Sequence, residues 1–512
     1  MMDIDAKTNI SQYNKNISKE LRSKANDFLN SRRHANNLVD IIAYLQKCMD
    51  ENLPTTAPIL TLEVIFKELL KRNEMNVEIN TSTTKADDTE TQYHSWLLER
   101  YEEALDLILK NIEHEKAHEA AQAVVTCMKL LSTEGKYPLS KNNTYPFPKK
   151  RLQNILKKIL SPHKQQTAII YRFKEYAEYM DIVFYSWKLL HNLGNKTLFA
   201  NETFALNYLE FINAIPVTKA LQEDVKILCA LKNLPIDNFY VLIKKWINRV
   251  WNSLMQWIDN IQESVHRQLL IVLLERFMVH LDKPVLLTDF LMDSLDYGGA
   301  VSLLALQGIF TLIQKHNITY PNIYEKLYSM FEPEIFHTKY KARLFYLADI
   351  FLSSTHLPES LVAAFAKRLA RLSLIAPPQD AIIVMYFIGN LLLRHSGLKR
   401  LICAYSPAEL SRDPYVMEER EPTKSNAIES SLWEIIALQK HAVPSVANTA
   451  KFISQPLPTT EWDLSTVLDI KEEDIFDQEI AKKSKQYALA FERPLALALP
   501  RNDKVVKYWK LF

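Results

Sequence analysis

The chain has 512 residues, 48% of them hydrophobic and 24% charged, with a formal net charge of +2. That balance suits a folded chain with a large core and gives no global field toward nucleic acid. Only seven glycines occur, against a usual share of about 7%, which weighs against large β proteins and glycine-dependent phosphate loops and leaves long helices joined by polar loops.

The polar start Met1-Met2-Asp3-Ile4-Asp5 reads as no secretory leader. Apolar positions at helical spacing (Leu38, Ile41, Ile42, Leu45) run from Ile17 to Met49, and Pro54 and Pro58 lead into a second helix, Leu60 to Leu70. Residues 73–92 turn polar and predict a flexible loop. Tyr93 to Leu131 is helical again until Gly135, Pro138, Pro146 and Pro148 break it. From Pro148 to Tyr405, helical stretches alternate with breaks at Pro216, Pro235, Pro284, Pro321, Pro333, Pro358 and Pro377-Pro378. This is the pattern of an all-α, degenerate solenoid of helical hairpins in the HEAT or armadillo style, with polar loops.

The expected division is N-terminal helices over 1–72, the polar loop over 73–92, and a hairpin with a proline-rich loop over 93–147. Helical repeats follow over 148–285, a further helical domain over 286–405, a linker over 406–428, a C-terminal helical cap over 429–484 and a tail over 485–512. The apolar runs Ala381 to Leu393 and Val301 to Ile313 fall short of the ~20 residues of a membrane span and read as buried repeat helices. Cys48, Cys127, Cys229 and Cys403 are too scattered for a metal motif and predict free thiols in a reducing compartment.

One catalytic string occurs. His114-Glu115-Lys116-Ala117-His118 fits the zinc pattern H-E-x-x-H. On a continuous helix, however, both histidines lie nearly opposite the apolar side made by Leu105, Leu109, Ile112, Ala120 and Leu131, so a solvent-facing pair is expected and no metal. Gly298-Gly299 opens a helix whose N-terminus would suit an anion, but Asp289, Asp293 and Asp296 precede it, and a close-packed turn is the expectation.

Basic clusters carry more weight. Lys149, Lys150 and Arg151 with Lys157 and Lys158 form one. Lys339, Lys341 and Arg343 form a second, and Lys367, Arg368 and Arg371 a third. Such groups meet RNA phosphates or an acidic partner segment. Phe331, Phe336, Tyr340, Phe345 and Tyr346 are mostly core by spacing, and an exposed one among them would be a candidate anchor.

Phe290 to Cys403 carries a family resemblance. Its specific stretches are Gly298-Gly299-Ala300 with Ser302-Leu303-Leu304-Ala305-Leu306, Phe336-His337-Thr338-Lys339-Tyr340, and Lys367-Arg368-Leu369-Ala370-Arg371-Leu372 before Ala376-Pro377-Pro378. Glu429-Ser430-Ser431-Leu432-Trp433-Glu434 and Asp474-Ile475-Phe476 follow the linker. These stretches closely resemble the CCAAT-binding-factor domain of the nucleolar complex protein four family. The resemblance implies a helical-repeat protein of the nucleolus that binds nucleolar protein fourteen and joins other proteins of the small-subunit processome. It implies a part in 40S assembly, 18S ribosomal RNA processing and pre-40S nuclear export. The family supplies no catalytic residues, so a non-catalytic scaffold without cofactor or small-molecule substrate is expected.

Partner contact is expected at Lys339, Arg343, Lys367, Arg368 and Arg371. The rival reading is contact with pre-ribosomal RNA through Lys149, Lys150, Arg151, Lys157 and Lys158.

Overall fold

The computed structural model describes residues 2–75, 88–139, 147–217, 226–229, 238–258, 262–316, 318, 320, 322–403 and 413–490, with side chains from 16 to 485 apart from 88 and 89. Residues 76–87 of the expected polar loop, 406–412 of the linker and 491–512 of the tail lie outside the described residues. Every regular element among the described residues is a helix, and the chain divides into two units, Met1–Asp289 and Phe290–Phe512.

The N-terminal unit contains α1 (Met2–Asn30), α2 (Asn36–Asp50), α3 (Thr56–Lys71), α4 (Asp88–Lys110), α5 (Ala117–Lys136), α6 (Lys149–Ile159) and α7 (Thr167–Lys174). Then come α8 (Met180–Leu193), α9 (Lys196–Phe199), α10 (Glu202–Ala214), α11 (Phe239–Trp257) and α12 (Glu263–Val272). Helices α1, α3, α5, α7, α10 and α12 pack in succession as one layer, and α2, α4, α6, α8 and α11 form a second. Each helix buries one stripe, as α11 does with Phe239, Ile243, Ile247, Val250, Trp251 and Leu254. Each such side chain contributes about 1.5–3 kcal/mol of transfer free energy, which is why the stack needs no disulfide.

With so few glycines, the connections are fastened by buried polar side chains. Asn207 of α10 accepts from the Gln166 amide at 2.9 Å and donates to the carbonyls of Ser161 (2.9 Å) and Lys164 (2.8 Å). Asp181 of α8 accepts from the amides of Leu228 (3.2 Å) and Cys229 (2.9 Å). Glu119 of α5 accepts from the Thr55 amide and from the Thr55 and Thr56 hydroxyls at the start of α3. A buried amide or carbonyl must find a partner, and here a neighbouring helix supplies it.

The helix expected over Tyr93 to Leu131 is two helices. The chain breaks after Lys110, passes through a short 3-10 turn and restarts at Ala117. Asn111 explains the turn, since its buried amide donates to Thr55 Oγ1 at 3.0 Å and so faces α3.

The C-terminal unit, with α13 (Thr288–Leu295) at the division, comprises α14 (Gly299–His316), α15 (Ile323–Ser329), α16 (Lys341–Phe351), α17 (Glu359–Ser373) and α18 (Pro378–Arg394). Four more follow: α19 (Trp433–Leu438), α20 (Pro444–Ala450), α21 (Leu464–Leu468) and α22 (Glu472–Ala490). The hairpin α17–α18 is central and buried on most sides. Helices α19 and α20 pack on α17 and α18 respectively, and α21 and α22 also meet α18. Gly389 permits the close approach of Trp462, whose nearest ring atom would lie 2.5 Å from an added Cβ.

Residues 413–428, expected as linker, are instead part of this unit. Pro422–Lys424 and Ala427–Glu429 form 3-10 turns against α17. The apolar runs of α14 and α18 are core helices, and no helix among the described residues is long and apolar enough to cross a membrane. All four cysteines are unbonded, and only Cys403 is exposed.

Candidate interaction surfaces

Lys367 is wholly buried. Alanines at 363, 364, 366 and 370 surround it along α17 and let neighbouring backbone come close. Its ammonium pairs with Glu434 at 2.7 Å and Asp413 at 2.9 Å and donates to the Ser431 carbonyl at 2.6 Å. Arg371, one turn on, pairs with the same two carboxylates at 2.8 and 2.6 Å and lies over the Trp433 ring. Arg368 donates to the carbonyls of Phe331 (2.7 Å) and Met417 (2.9 Å) and lies over Tyr328, whose hydroxyl shares a hydrogen bond with that of Tyr415. The expectation that this cluster reaches a partner is therefore corrected for Lys367, and Arg368 and Arg371 are largely spent inside the chain. Carboxylates distant in sequence make the difference.

Burial pushes the Asp413 carboxyl up, but hydrogen bonds from Ser430, Trp433 and Lys367 outweigh it and hold the group well below the usual carboxylate range. A depressed carboxylate stabilises the fold fully above its unfolded value of about 3.9 and loses that contribution as the pH falls through the folded value. The denaturant midpoint of the C-terminal unit is therefore expected to fall between about pH 4 and about pH 2. Asp413→Asn should flatten that slope.

The second cluster divides. Lys341 is tied to buried Asp380 at 2.8 Å. Lys339 and Arg343 are exposed, Arg343 touching Gln307 and neither forming an ion pair among the described residues. Of the five aromatic residues, Phe331, Phe336 and Phe345 are buried, whereas Tyr346 is 59% exposed. Spacing sets it beside Arg343, one turn away on α16.

The first cluster divides too. Arg151 is held by Glu102 and by Glu134, the latter at 3.1 Å, and Lys158 by Glu113 at 2.8 Å. These cations, expected to meet RNA, are engaged internally. Lys150 and Lys157 are exposed, and Lys149 lies 5.5 Å from the centre of the Tyr185 ring on α8. The line continues onto helices that show no basic run in sequence. Lys188 on α8 lies 5.7 Å from the Trp246 ring of α11, and Arg249 lies 4.7 Å from it.

His114 and His118 do not share a helical turn. His114 precedes α5, and its Nδ1 accepts the Lys116 amide at 3.1 Å, while His118 stands in the first turn. The H-E-x-x-H spacing therefore has no helix to act on. At the Gly298-Gly299 turn both residues take positive φ, +81° and +57°, and the Ser302 hydroxyl accepts the Gly298 amide at 2.8 Å. Asp296 beside it pairs with Lys326.

Comparison with known proteins matches residues 302–450 to the CBF/Mak21 family, a span that contains all four members of the buried ion cluster. Residues 11–198 match Nucleolar complex protein 4-like, TPR repeats, a span running from α1 into α9. Nucleolar complex protein 4 homolog A of Xenopus laevis is 36% identical over 96% of this chain and 95% of its own length. The Homo sapiens Nucleolar complex protein 4 homolog is 33% identical over 92% and 93%. Nucleolar complex protein 4 of Saccharomyces cerevisiae is 28% identical over 83% and 84%.

Proposed function

The chain belongs to the nucleolar complex protein 4 family, and from that premise we propose that it is a non-catalytic scaffold of the small-subunit processome that binds nucleolar protein fourteen. It works in the nucleolus in ribosome biogenesis, and through this partner it serves 40S assembly, 18S ribosomal RNA processing and pre-40S export. The observation that carries the partner surface is Tyr346, 59% exposed on a helix whose neighbours Leu344, Phe345, Leu347 and Ala348 are buried. An exposed aromatic side chain on a rigid helix with the exposed guanidinium of Arg343 one turn away is the composition of an interface anchor.

The test is capture of nucleolar protein fourteen by the tagged full chain. Tyr346→Ala is expected to weaken capture by at least about tenfold, the scale of an interface anchor, and Arg343→Glu to weaken it further. Tyr171→Ala, which removes a tyrosine 72% exposed in the other unit, should leave capture unchanged. Undiminished capture by Tyr346→Ala with Arg343→Glu would refute this surface.

A further inference from the structure

In the N-terminal unit, α6, α8 and α11 pack in succession within one layer, and packed helices stand about 8–10 Å apart. Across them runs a line of cations interleaved with flat rings. Lys149 lies over Tyr185, which stacks on Phe147 at 4.0 Å between ring centres. Lys188, one turn further along α8, and Arg249 both lie against Trp246, and His191 stacks on the same indole at 5.4 Å with an interplanar angle of 27°. Lys150 exposes its charge at the α6 end and Lys245 at the α11 end.

Several other basic residues of the unit carry counter-ions. Lys158 has Glu113, Arg151 has Glu102 and Glu134, Lys226 has Glu178 and Lys244 has Asp282. Among the described residues no ion pair involves Lys150, Lys188, Lys245 or Arg249. Burial and the nearby charge of Lys149 both push the Lys188 ammonium down, as a cation short of compensation would be. Self-repulsion of this kind costs stability, and a polyanion laid across it relieves the cost.

We propose that the line Lys149–Lys188–Trp246–Arg249, with Lys150 and Lys245 at its ends, is a binding track for single-stranded RNA. The cations take the phosphates. The guanidinium plane of Arg249 and the adjoining indole and imidazole offer faces on which bases stack. An acidic protein segment would use the cations and leave those faces without a role, so the observations favour RNA. This track lies on other residues than the proposed partner surface and is independent of it.

The test measures fluorescence anisotropy of the full chain with an oligouridine of about 20 nucleotides, and with a polyglutamate peptide of equal charge, across a salt series. The variant Lys245→Glu with Arg249→Glu changes two exposed side chains. It is expected to weaken RNA binding at least about tenfold and to reduce the salt slope by about 1.4, at roughly 0.7 per phosphate contact. Lys399→Glu with Arg400→Glu, the same charge change on exposed residues of the other unit, should alter binding less than about threefold. Lys188→Gln, a milder change, should weaken binding without altering the circular dichroism spectrum. Equal losses in the two double variants, no RNA binding at low salt, or polyglutamate binding as tightly as oligouridine would each overturn the proposal, the last by assigning the track to an acidic protein segment.

Discussion

Replacing Lys367 by methionine is expected to destabilise the C-terminal unit by about 3–5 kcal/mol, the usual cost of breaking a buried ion pair. Lys367 and Arg371 face Asp413 and Glu434, two charges of each sign, and Lys367 and Glu434 have no solvent exposure. Methionine keeps most of the side-chain volume but leaves two carboxylates for one guanidinium. Burial then pushes the Glu434 carboxyl up with less to oppose it. The measurement is the urea midpoint of the transition belonging to residues 290–512. The double variant Lys367→Met with Glu434→Leu removes one charge of each sign and leaves the Arg371–Asp413 pair intact. It is expected to recover more than half of the loss, because an uncompensated charge costs more than an absent pair. A double variant no more stable than the single would show that packing around Lys367, not charge, dominates.

A second large effect is expected at Asn207. Leucine fills nearly the same space but orphans the Gln166 amide and the carbonyls of Ser161 and Lys164. Each buried group left unsatisfied costs about 1–3 kcal/mol, and partial access of water brings the expected sum to about 3 kcal/mol. Asn207→Asp keeps the acceptor for Gln166 but turns a buried carboxylate oxygen toward the Ser161 and Lys164 carbonyls, so in neutral solution it should destabilise at least as much as Asn207→Leu. Hydrogen exchange at the Gln166 amide separates the two variants. It should accelerate in Asn207→Leu and stay protected in Asn207→Asp.

The helical class was legible because it rests on quantities internal to each segment: seven glycines, proline punctuation and apolar spacing. What periodicity reports is the face a residue takes on its own helix, and it carries no notice of what arrives there. Lys367 and Arg371 at i and i+4 read as one charged face, and they are one. Carboxylates from residues 413 and 434 cover it. The small alanines on either side of Lys367 were the available sign of a close neighbour. Tyr346 sits in the run Leu344 to Ala348, where spacing could not single it out from Phe345. The continuous helix assumed through His114 and His118 failed for the converse reason, since the contact from Asn111 to Thr55 accompanies a break that spacing does not announce. Of the RNA track only Lys149 and Lys150 stood in a local basic run, because each of its three helices contributes just one or two cations.

The ion cluster also sets an order on biosynthesis. Domains fold largely as units while the chain emerges at about 5–20 residues per second. When α17 and α18 have just left the ribosome, Lys367 and Arg371 still lack both counter-ions, because Asp413 and Glu434 have yet to emerge. Until residues 413–434 are out, the two cations stay in water and the α17 face they occupy cannot close, and Gly389 waits longer still for Trp462. A message truncated just after α18 would release a chain with an intact N-terminal unit and an unfinished C-terminal one, a substrate for chaperones and proteases rather than a shorter scaffold.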